Sequence, residues 1–117
     1  MTDLSSIEKA ENSRQLLENC SDFFIALGDT IRRKLFIKMV ECGKDGISVS
    51  NLTSTTELSR PAISHHLKVL KECGLIKARR VGTHNFYYVD LNEHLENIKL
   101  FIQNAERIMQ AKSQGTK

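Results

Sequence analysis

The chain has 117 residues, of which 40% are hydrophobic and 26% charged, with a formal net charge of +3. This length suits one domain with a modest core, and the ordinary apolar content excludes an intrinsically disordered chain. No run approaches the roughly 18 apolar residues that a membrane span needs, and the first residues do not resemble a signal peptide. We therefore expect a single domain over 1–117, in a cytoplasmic bacterial protein with no membrane partner.

Charge is distributed unevenly along the chain. Residues 1–30 hold six acidic and two basic residues, a balance of −4, whereas residues 60–80 hold six basic residues and one acidic residue, a balance of +5. Positive charge concentrated on one short segment is typical of a protein that binds a polyanion. A solvated surface can also be basic, so the charge alone is weak evidence. It becomes informative because the same segment carries a helix-turn-helix pattern, described below.

The three cysteines, Cys20, Cys42 and Cys73, are odd in number and widely spaced. A disulfide framework is not expected in a reducing cytoplasm, and no Cys-x-x-Cys pair is present to hold structural zinc. We expect all three to be small apolar filling residues. A disulfide between Cys20 and Cys42 is the alternative.

The N-terminal segment predicts an amphipathic helix over about residues 4–27. Asp3 or Ser5 can cap its start, because a side-chain oxygen there accepts an unpaired backbone N–H of the first turn. Its apolar residues recur at roughly helical spacing up to Gly28, which marks a stop or a bend.

A second helix is predicted over residues 31–42. Asp29 or Thr30 is expected to cap it. Its apolar residues repeat on one stripe that is predicted to be buried, formed by Ile31, Leu35, Met39 and Cys42. Residues 44–46 then form a turn, and a short strand at 47–49 is expected to pair with a later hairpin.

Residues 48–73 predict a helix-turn-helix. Ser48 or Ser50 caps its first helix, which a threonine-rich run keeps short because threonine is a poor helix former. Ser59 caps the second helix, and Pro61 lies in the first turn, where the missing N–H has no consequence.

This second helix has two distinct faces. Its apolar residues at spacing i, i+4, i+7 define the buried stripe, Ile63, Leu67 and Leu70. His66 falls beside that stripe, so we expect it to be packed or locally hydrogen-bonded. The side chains that point away from the stripe are mostly polar or charged: Pro61, Ser64, His65, Lys68 and Glu72. Of these, His65 is expected to be free to meet a ligand or DNA.

Two strand-forming runs follow, at residues 75–81 and 85–89, joined by a loop at 82–84. They predict a hairpin, the wing, over about 75–90. Its first strand carries three cations, Lys77, Arg79 and Arg80. The exposed tip is expected to contact phosphate groups through Arg80, Thr83, His84 and Asn85.

A long last helix is predicted over about 91–111, capped by Asp90 or Asn92. Its apolar residues alternate at steps of four and three, a coiled-coil seam formed by Leu91, Leu95, Ile98, Ile102, Ala105 and Met109. The rest of the chain is too short to cover so broad an apolar face. We therefore expect dimerisation through this helix, with the first helix alongside, and packing within one chain is the alternative.

Two segments carry a family resemblance: Ala26-Leu-Gly-Asp-Thr-Ile-Arg-Arg-Lys-Leu35, and Leu58-Ser-Arg-Pro-Ala-Ile-Ser-His-His-Leu-Lys-Val-Leu-Lys-Glu-Cys-Gly-Leu75. They resemble the start of the second helix, and the recognition helix, of the arsenical-resistance repressor (ArsR) family. The resemblance covers roughly residues 20–95. It implies a homodimeric winged helix-turn-helix that binds an inverted-repeat operator and blocks transcription until an inducer loosens it.

The chain departs from the metal-sensing members of that family. Where they carry Cys-x-Cys, it reads Gly46-Ile-Ser-Val-Ser-Asn-Leu52. Where others bind zinc through Asp-x-His and a second pair of ligands in the last helix, it has Asn92-Glu-His94, with Ala105 and Ile108 further along. Zinc needs about four N, S or O donors, so neither metal site is expected, and no other cofactor. The last helix also lacks the cysteine that thiol-sensing relatives use.

The sequence therefore predicts a mainly α fold with a small β-hairpin wing, a homodimeric winged helix-turn-helix joined through its first and last helices. The expected function is a sequence-specific transcriptional regulator of double-stranded DNA, a repressor released by an unknown inducer. A winged-helix module for protein–protein assembly is the alternative. Catalysis is not expected, because Ser64 and His65 point about 100° apart and no acidic orienting group or oxyanion-hole glycine motif accompanies them.

Each predicted DNA contact has an expected role. Ser64 and His65 reach base edges, and Arg60 reads a guanine or a phosphate. The other contacts hold the DNA backbone and set the affinity and its salt dependence. The full predicted set is Ser59, Arg60, Pro61, Ser64, His65, Lys68, Arg79, Arg80, Thr83, His84 and Asn85.

Overall fold

The computed structural model describes the backbone of residues 4–115 and the side chains of residues 12–113. The predicted cap Asp3 lies outside the described residues. The chain falls into two compact units, one formed by the segments Met1–Ser21 and His94–Lys117 and the other by Asp22–Glu93. The prediction of one domain over 1–117 did not include this division.

Six helices and three strands follow one another along the described residues. The helices are α1 Leu4–Asn19, α2 Ser21–Leu27, α3 Thr30–Glu41, α4 Val49–Thr55, α5 Arg60–Glu72 and α6 Asn92–Gly115. The strands are β1 Ile47–Ser48, β2 Ile76–Val81 and β3 His84–Val89, and a 3-10 turn, Gly43–Asp45, joins α3 to β1. The mainly helical fold with a small hairpin is confirmed.

The helix predicted over 4–27 is divided into α1 and α2. The chain turns at Cys20, whose N–H donates to the carbonyl of Leu17 at 3.0 Å, a three-residue step that closes α1. Neither glycine nor proline marks this position, so the apolar pattern did not predict the break.

Helix α3 starts at the predicted cap. The Asp29 carboxylate accepts the N–H of Arg32 at 2.9 Å, and this hydrogen bond lowers the pKa of the Asp29 carboxyl. The next two side chains reach back to the end of α2: Arg32 Nε donates to the Ala26 carbonyl at 2.7 Å and Arg33 Nη1 donates to the Leu27 carbonyl at 2.8 Å. Because the last carbonyls of a helix lack partners within it, these arginines stabilise the α2–α3 corner.

The core of the Asp22–Glu93 unit draws on α2 to α5 and on the sheet. Of the stripe predicted for α3, Leu35 and Met39 are buried and Cys42 is partly buried. Ile31 is 42% exposed, contrary to expectation, because it lies in the first turn of α3 and lines a surface hollow instead. The buried residues are Ala26, Leu35, Phe36, Met39, Ile47, Leu52, Ile63, Leu67, Leu70, Leu75 and Ile76.

Helices α4 and α5 form the helix-turn-helix. Ser48 Oγ accepts the N–H of Asn51 at 3.2 Å, and Ser59 Oγ accepts the N–H of Ala62 at 3.3 Å, so each helix has a serine cap. Helix α4 ends after seven residues, as its composition predicted. Its threonine hydroxyls donate to carbonyls one turn earlier and so compete with a regular helix; they belong to Thr53, Thr55 and Thr56.

The three strands form an antiparallel sheet with β3 in the centre, in the order β1-β3-β2. Gly74, at a φ of 80°, ends α5 and turns the chain into β2. The hairpin closes in two residues, Gly82 and Thr83, and His84 pairs with Val81. His84 therefore belongs to β3 and not to the predicted three-residue loop, because a two-residue turn fits the twist of the strands.

Helix α6 runs over 24 residues. Asp90 Oδ1 accepts the N–H of Asn92 at 3.0 Å at the start of the helix. In its predicted seam, Leu95, Ile102 and Met109 are exposed, whereas Leu91 packs against the core of the Asp22–Glu93 unit. None of the described helices combines the length and the apolar content that crossing a membrane requires.

Candidate nucleic-acid interface

Helix α5 presents a polar face opposite its buried stripe. Ser64, His65 and Lys68 are exposed along this face, and Arg60 and Pro61 are exposed at its N-terminal end. The three apolar residues of the stripe are at most 2% exposed, so packing holds the helix along its length. A helix of about 10–12 Å diameter fits the major groove of B-DNA, which is about 12 Å wide.

Lys68 has a weak partner on its own helix. Its Nζ atom lies 3.9 Å from a carboxylate oxygen of Glu72, and the two side chains are 73% and 65% exposed. An ion pair that is so exposed and so long contributes little free energy. A phosphate group of DNA can therefore replace Glu72 as the partner of Lys68.

The hairpin has two faces that follow its register. Ile76 pairs with Val89 and Ala78 with Tyr87 on the face that packs towards the core. Alternation places Arg80 and its cross-strand partner on this same face, beyond the core and towards the tip. The opposite face carries Lys77, Arg79, Phe86 and Tyr88.

The tip of the hairpin is polar and in contact with solvent. Arg80, Thr83, His84 and Asn85 are all exposed. Arg80 Nε donates to the carbonyl of Gly82 at 3.2 Å, which holds the side chain along the turn. Its two Nη groups make no hydrogen bond within the described part of the chain. They are therefore available to a phosphate group.

Arg79 is engaged by the protein itself. Its Nη1 donates to the Lys44 carbonyl at 3.2 Å and its Nη2 to the Asp45 carbonyl at 3.0 Å. The guanidinium carbon lies 5.5 Å from the centre of the Tyr88 ring. The sequence predicted that Arg79, like Arg80, contacts a phosphate group. Strand alternation, counted from the buried Ile76, was the signal that separates the two arginines.

Lys77 is engaged in a similar way at the base of the hairpin. Its Nζ lies 3.1 Å from Asp90 Oδ2, and this contact raises the pKa of Lys77. The N–H of Asn92, followed by Lys77, lowers the pKa of the Asp90 carboxyl. The backbone N–H of Asp90 also donates to the Leu75 carbonyl at 3.0 Å. Asp90 thus ties the first wing strand to the start of α6.

In the part of the chain that the structure describes, no three His, Cys, Asp or Glu side chains come together as a metal site. Cys20 is buried, and Cys42 and Cys73 pack against the core. Burial raises the pKa of the Cys20 and Cys73 thiols, which disfavours reactive thiolates there. His94 is buried in α6.

A polar helix held by a short helix and a tight turn, followed by an exposed hairpin, defines the class of winged helix-turn-helix DNA-binding proteins. Residues 44–78, from the 3-10 turn to the first wing strand, match the family described as bacterial regulatory protein, arsR family. The match thus includes the helix-turn-helix but not the second wing strand or α6.

Relatives that align with more than two thirds of the chain extend this match. An HTH-type transcriptional regulator of Methanocaldococcus jannaschii is 37% identical over 83 residues, which cover 71% of this chain and 91% of the relative. The arsenical resistance operon repressor of Bacillus subtilis is 32% identical over 87 residues, 74% and 79% of the two chains. The solved structure of an ArsR-like transcriptional regulator from Rhodococcus sp. RHA1 is 25% identical, with a TM-score of 0.71 over 86% of this chain and 95% of that one.

The protein therefore belongs to the ArsR family. It is a DNA-binding transcriptional regulator and not an enzyme.

Proposed function

We propose that this regulator binds an inverted-repeat operator as a homodimer and represses transcription there. One observation carries the proposal: the buried stripe of α5 is fixed in the core while Ser64, His65 and Lys68 remain in solvent. A helix held in this way can enter the major groove without first being ordered. The repressor function named for the Bacillus subtilis relative supports repression here.

The contacts divide into base readers and backbone holders. Ser64 and His65 lie in the middle of the exposed face, where a helix in the major groove meets base edges. Arg60, at the start of the helix, reaches a guanine or a phosphate. Apart from Arg79, whose guanidinium donates to two carbonyls, the other members of the predicted set hold the DNA backbone independently of sequence: Ser59, Pro61, Lys68, Arg80, Thr83, His84 and Asn85.

Two copies are needed for an inverted repeat. The exposed residues of the predicted α6 seam, Leu95, Ile102 and Met109, support dimerisation, because water contact with such a seam is unfavourable. A two-fold dimer of this class presents its recognition helices about 34–36 Å apart, one helical turn of DNA. A dimer bound over a promoter then excludes RNA polymerase from it.

Selection from random duplexes tests the proposal directly. The recovered sequences should contain an inverted repeat with half-sites about 10 base pairs apart, centre to centre. The double variant Ser64→Ala, His65→Ala should lose the sequence preference. Lys112→Ala, which removes an exposed lysine near the end of α6, is the matched control and should keep it.

Two results would contradict the proposal at different points. If the folded protein enriches no duplex at moderate salt, the DNA-binding proposal is wrong and the alternative, a protein–protein assembly module, is favoured. Transcription in vitro from a promoter overlapping the recovered operator should fall when the protein is added. A rise would show an activator and not a repressor.

A further inference from the structure

The base of the wing packs against β1, α3, α5 and the 3-10 turn, whereas residues 80–85 of its outer half are exposed. Its strands have six residues each, so the hairpin is about 20 Å long. Strand β3 pairs with β1 at only two positions, Ile47 with Tyr87 and Ser48 with Phe86. Among the described residues, strand β2 pairs with β3 alone and is an edge strand of the sheet. The outer half of the hairpin therefore has little backbone support of its own.

The Arg79 side chain supplies support in the middle of β2. It donates to two successive carbonyls at the end of the 3-10 turn, those of Lys44 and Asp45, which lie 35 and 34 residues away along the chain. Its guanidinium also lies against the Tyr88 ring of the neighbouring strand. One side chain thus joins both wing strands to the turn that follows α3.

We propose that Arg79 is a positioning residue of the DNA interface, which holds the wing so that Arg80 and the tip meet the DNA backbone. This inference rests on the proposed DNA-binding function. In this proposal Arg79 acts through the wing and not on DNA, since both of its Nη groups donate to carbonyls and its face of the hairpin is opposite to that of Arg80.

The chemistry of this link requires arginine. A guanidinium presents N–H donors in a planar fork, and the same plane can lie over an aromatic ring. The ammonium group of lysine is a point charge that cannot reproduce that fork. Lysine does, however, bind phosphate well. Substitution by lysine therefore distinguishes two roles. A residue that positions the wing loses its function as lysine, whereas a residue that contacts phosphate keeps it.

Four variants measured against the selected operator test the inference: Arg79→Ala, Arg79→Lys, Arg80→Ala and Arg80→Lys. Arg79→Ala should weaken binding roughly tenfold, the scale of losing hydrogen bonds to a charged group, with the slope of log K against log salt unchanged. Arg79→Lys should be nearly as weak. Arg80→Ala should lower that slope by about one, and Arg80→Lys should restore most of the affinity.

Amide hydrogen exchange of the protein without DNA gives a readout that is independent of binding. Arg79→Ala should speed exchange in residues 44–47 and 77–88, because the wing loses one of its links to the 3-10 turn. Arg80→Ala, the charge-matched neighbour, should leave exchange in residues 44–47 as it is.

The inference is overturned if Arg79→Lys binds as tightly as the wild type, or if Arg79→Ala lowers the salt slope, since Arg79 is then a phosphate contact. If amide exchange in residues 44–47 and 77–88 is unchanged in Arg79→Ala, Arg79 does not hold the wing. If the wild type binds no duplex, the proposed function fails and the DNA role of Arg79 falls with it. The exchange result then decides only whether the attachment exists.

Discussion

The imidazole rings of His65 and His66 lie 5.7 Å apart, yet the two histidines have different surroundings. His65 is exposed on the polar face of α5. His66 is partly buried, and its Nδ1 atom is buried without a hydrogen-bond partner among the described residues. Neighbours on a helix point about 100° apart, so one histidine faces solvent and the other faces the protein.

Alanine substitutions should separate these two histidines. His65→Ala should change the free energy of unfolding by less than about 0.5 kcal/mol, as exposed sites do, and relax the sequence preference. His66→Ala should keep the preference and lower the unfolding free energy by about 1 kcal/mol, because the lost packing exceeds the relief of one unsatisfied nitrogen. Urea denaturation and duplex selection measure the two effects. Loss of the sequence preference in His66→Ala, with the preference kept in His65→Ala, would place His66 at the DNA.

Asp90 should make the protein sensitive to acid. The N–H of Asn92 and the Lys77 ammonium hold its pKa below the ordinary value of 3.8. A carboxyl whose pKa is lower in the folded state than in the unfolded state stabilises the folded protein at pH values above its unfolded-state pKa. This contribution is lost as the pH falls through the folded-state pKa. Asp90→Asn should therefore lose less stability than the wild type between pH 6 and about pH 3.

Urea midpoints at the two pH values measure this difference. Asp29 acts with the same sign, so Asp90→Asn removes only part of the acid sensitivity. Glu41→Gln, an exposed carboxyl on α3, makes the same change in charge and serves as the control. An equal fall in the midpoint for Asp90→Asn and the wild type would show that Asp90 has no such role.

Short-range features of this fold were readable from the sequence. The caps at Asp29, Ser48 and Ser59 depend on residues three positions away, and each is present in the structure. The inward stripe of α5 follows from helical periodicity alone. Both kinds of signal are contained within one or two turns of chain.

Long-range features were not readable in the same way. The attachment of Arg79 to Lys44 and Asp45 joins segments about 35 residues apart, which no local pattern encodes. The ion pair of Lys77 with Asp90 also depends on how β2 meets the start of α6. The sequence identifies the cationic residues of the wing, but only the folded structure shows which of them already have partners within the protein.

Two glycines with left-handed backbones should differ sharply in their tolerance of alanine. At Gly46, with φ 77°, an added Cβ would lie 2.5 Å from the Tyr87 carbonyl oxygen, so strain and a clash with the central strand combine. At Gly82, with φ 64°, nothing lies within 4 Å of the added atom. Gly46→Ala should destabilise the protein by about 2–5 kcal/mol and Gly82→Ala by about 1–2 kcal/mol.

Denaturant midpoints for the two variants, with equal m-values, test this expectation. Gly82→Ala serves as the control, because it carries the backbone strain without the clash. Equal destabilisation would mean that the approach of Gly46 to β3 is looser than the structure describes.

The α6 seam should decide the oligomeric state. Ile102 on α6 and Ile37 on α3 are similarly exposed, at 49% and 55%, so an aspartate at either position has a similar effect on the folded monomer. A dimer through α6 would bury the charge only in Ile102→Asp, and an unpaired buried charge is strongly unfavourable. Sedimentation equilibrium should therefore give a monomer for Ile102→Asp and a dimer for Ile37→Asp. A dimer that survives Ile102→Asp, or dissociates in Ile37→Asp, would place the interface elsewhere.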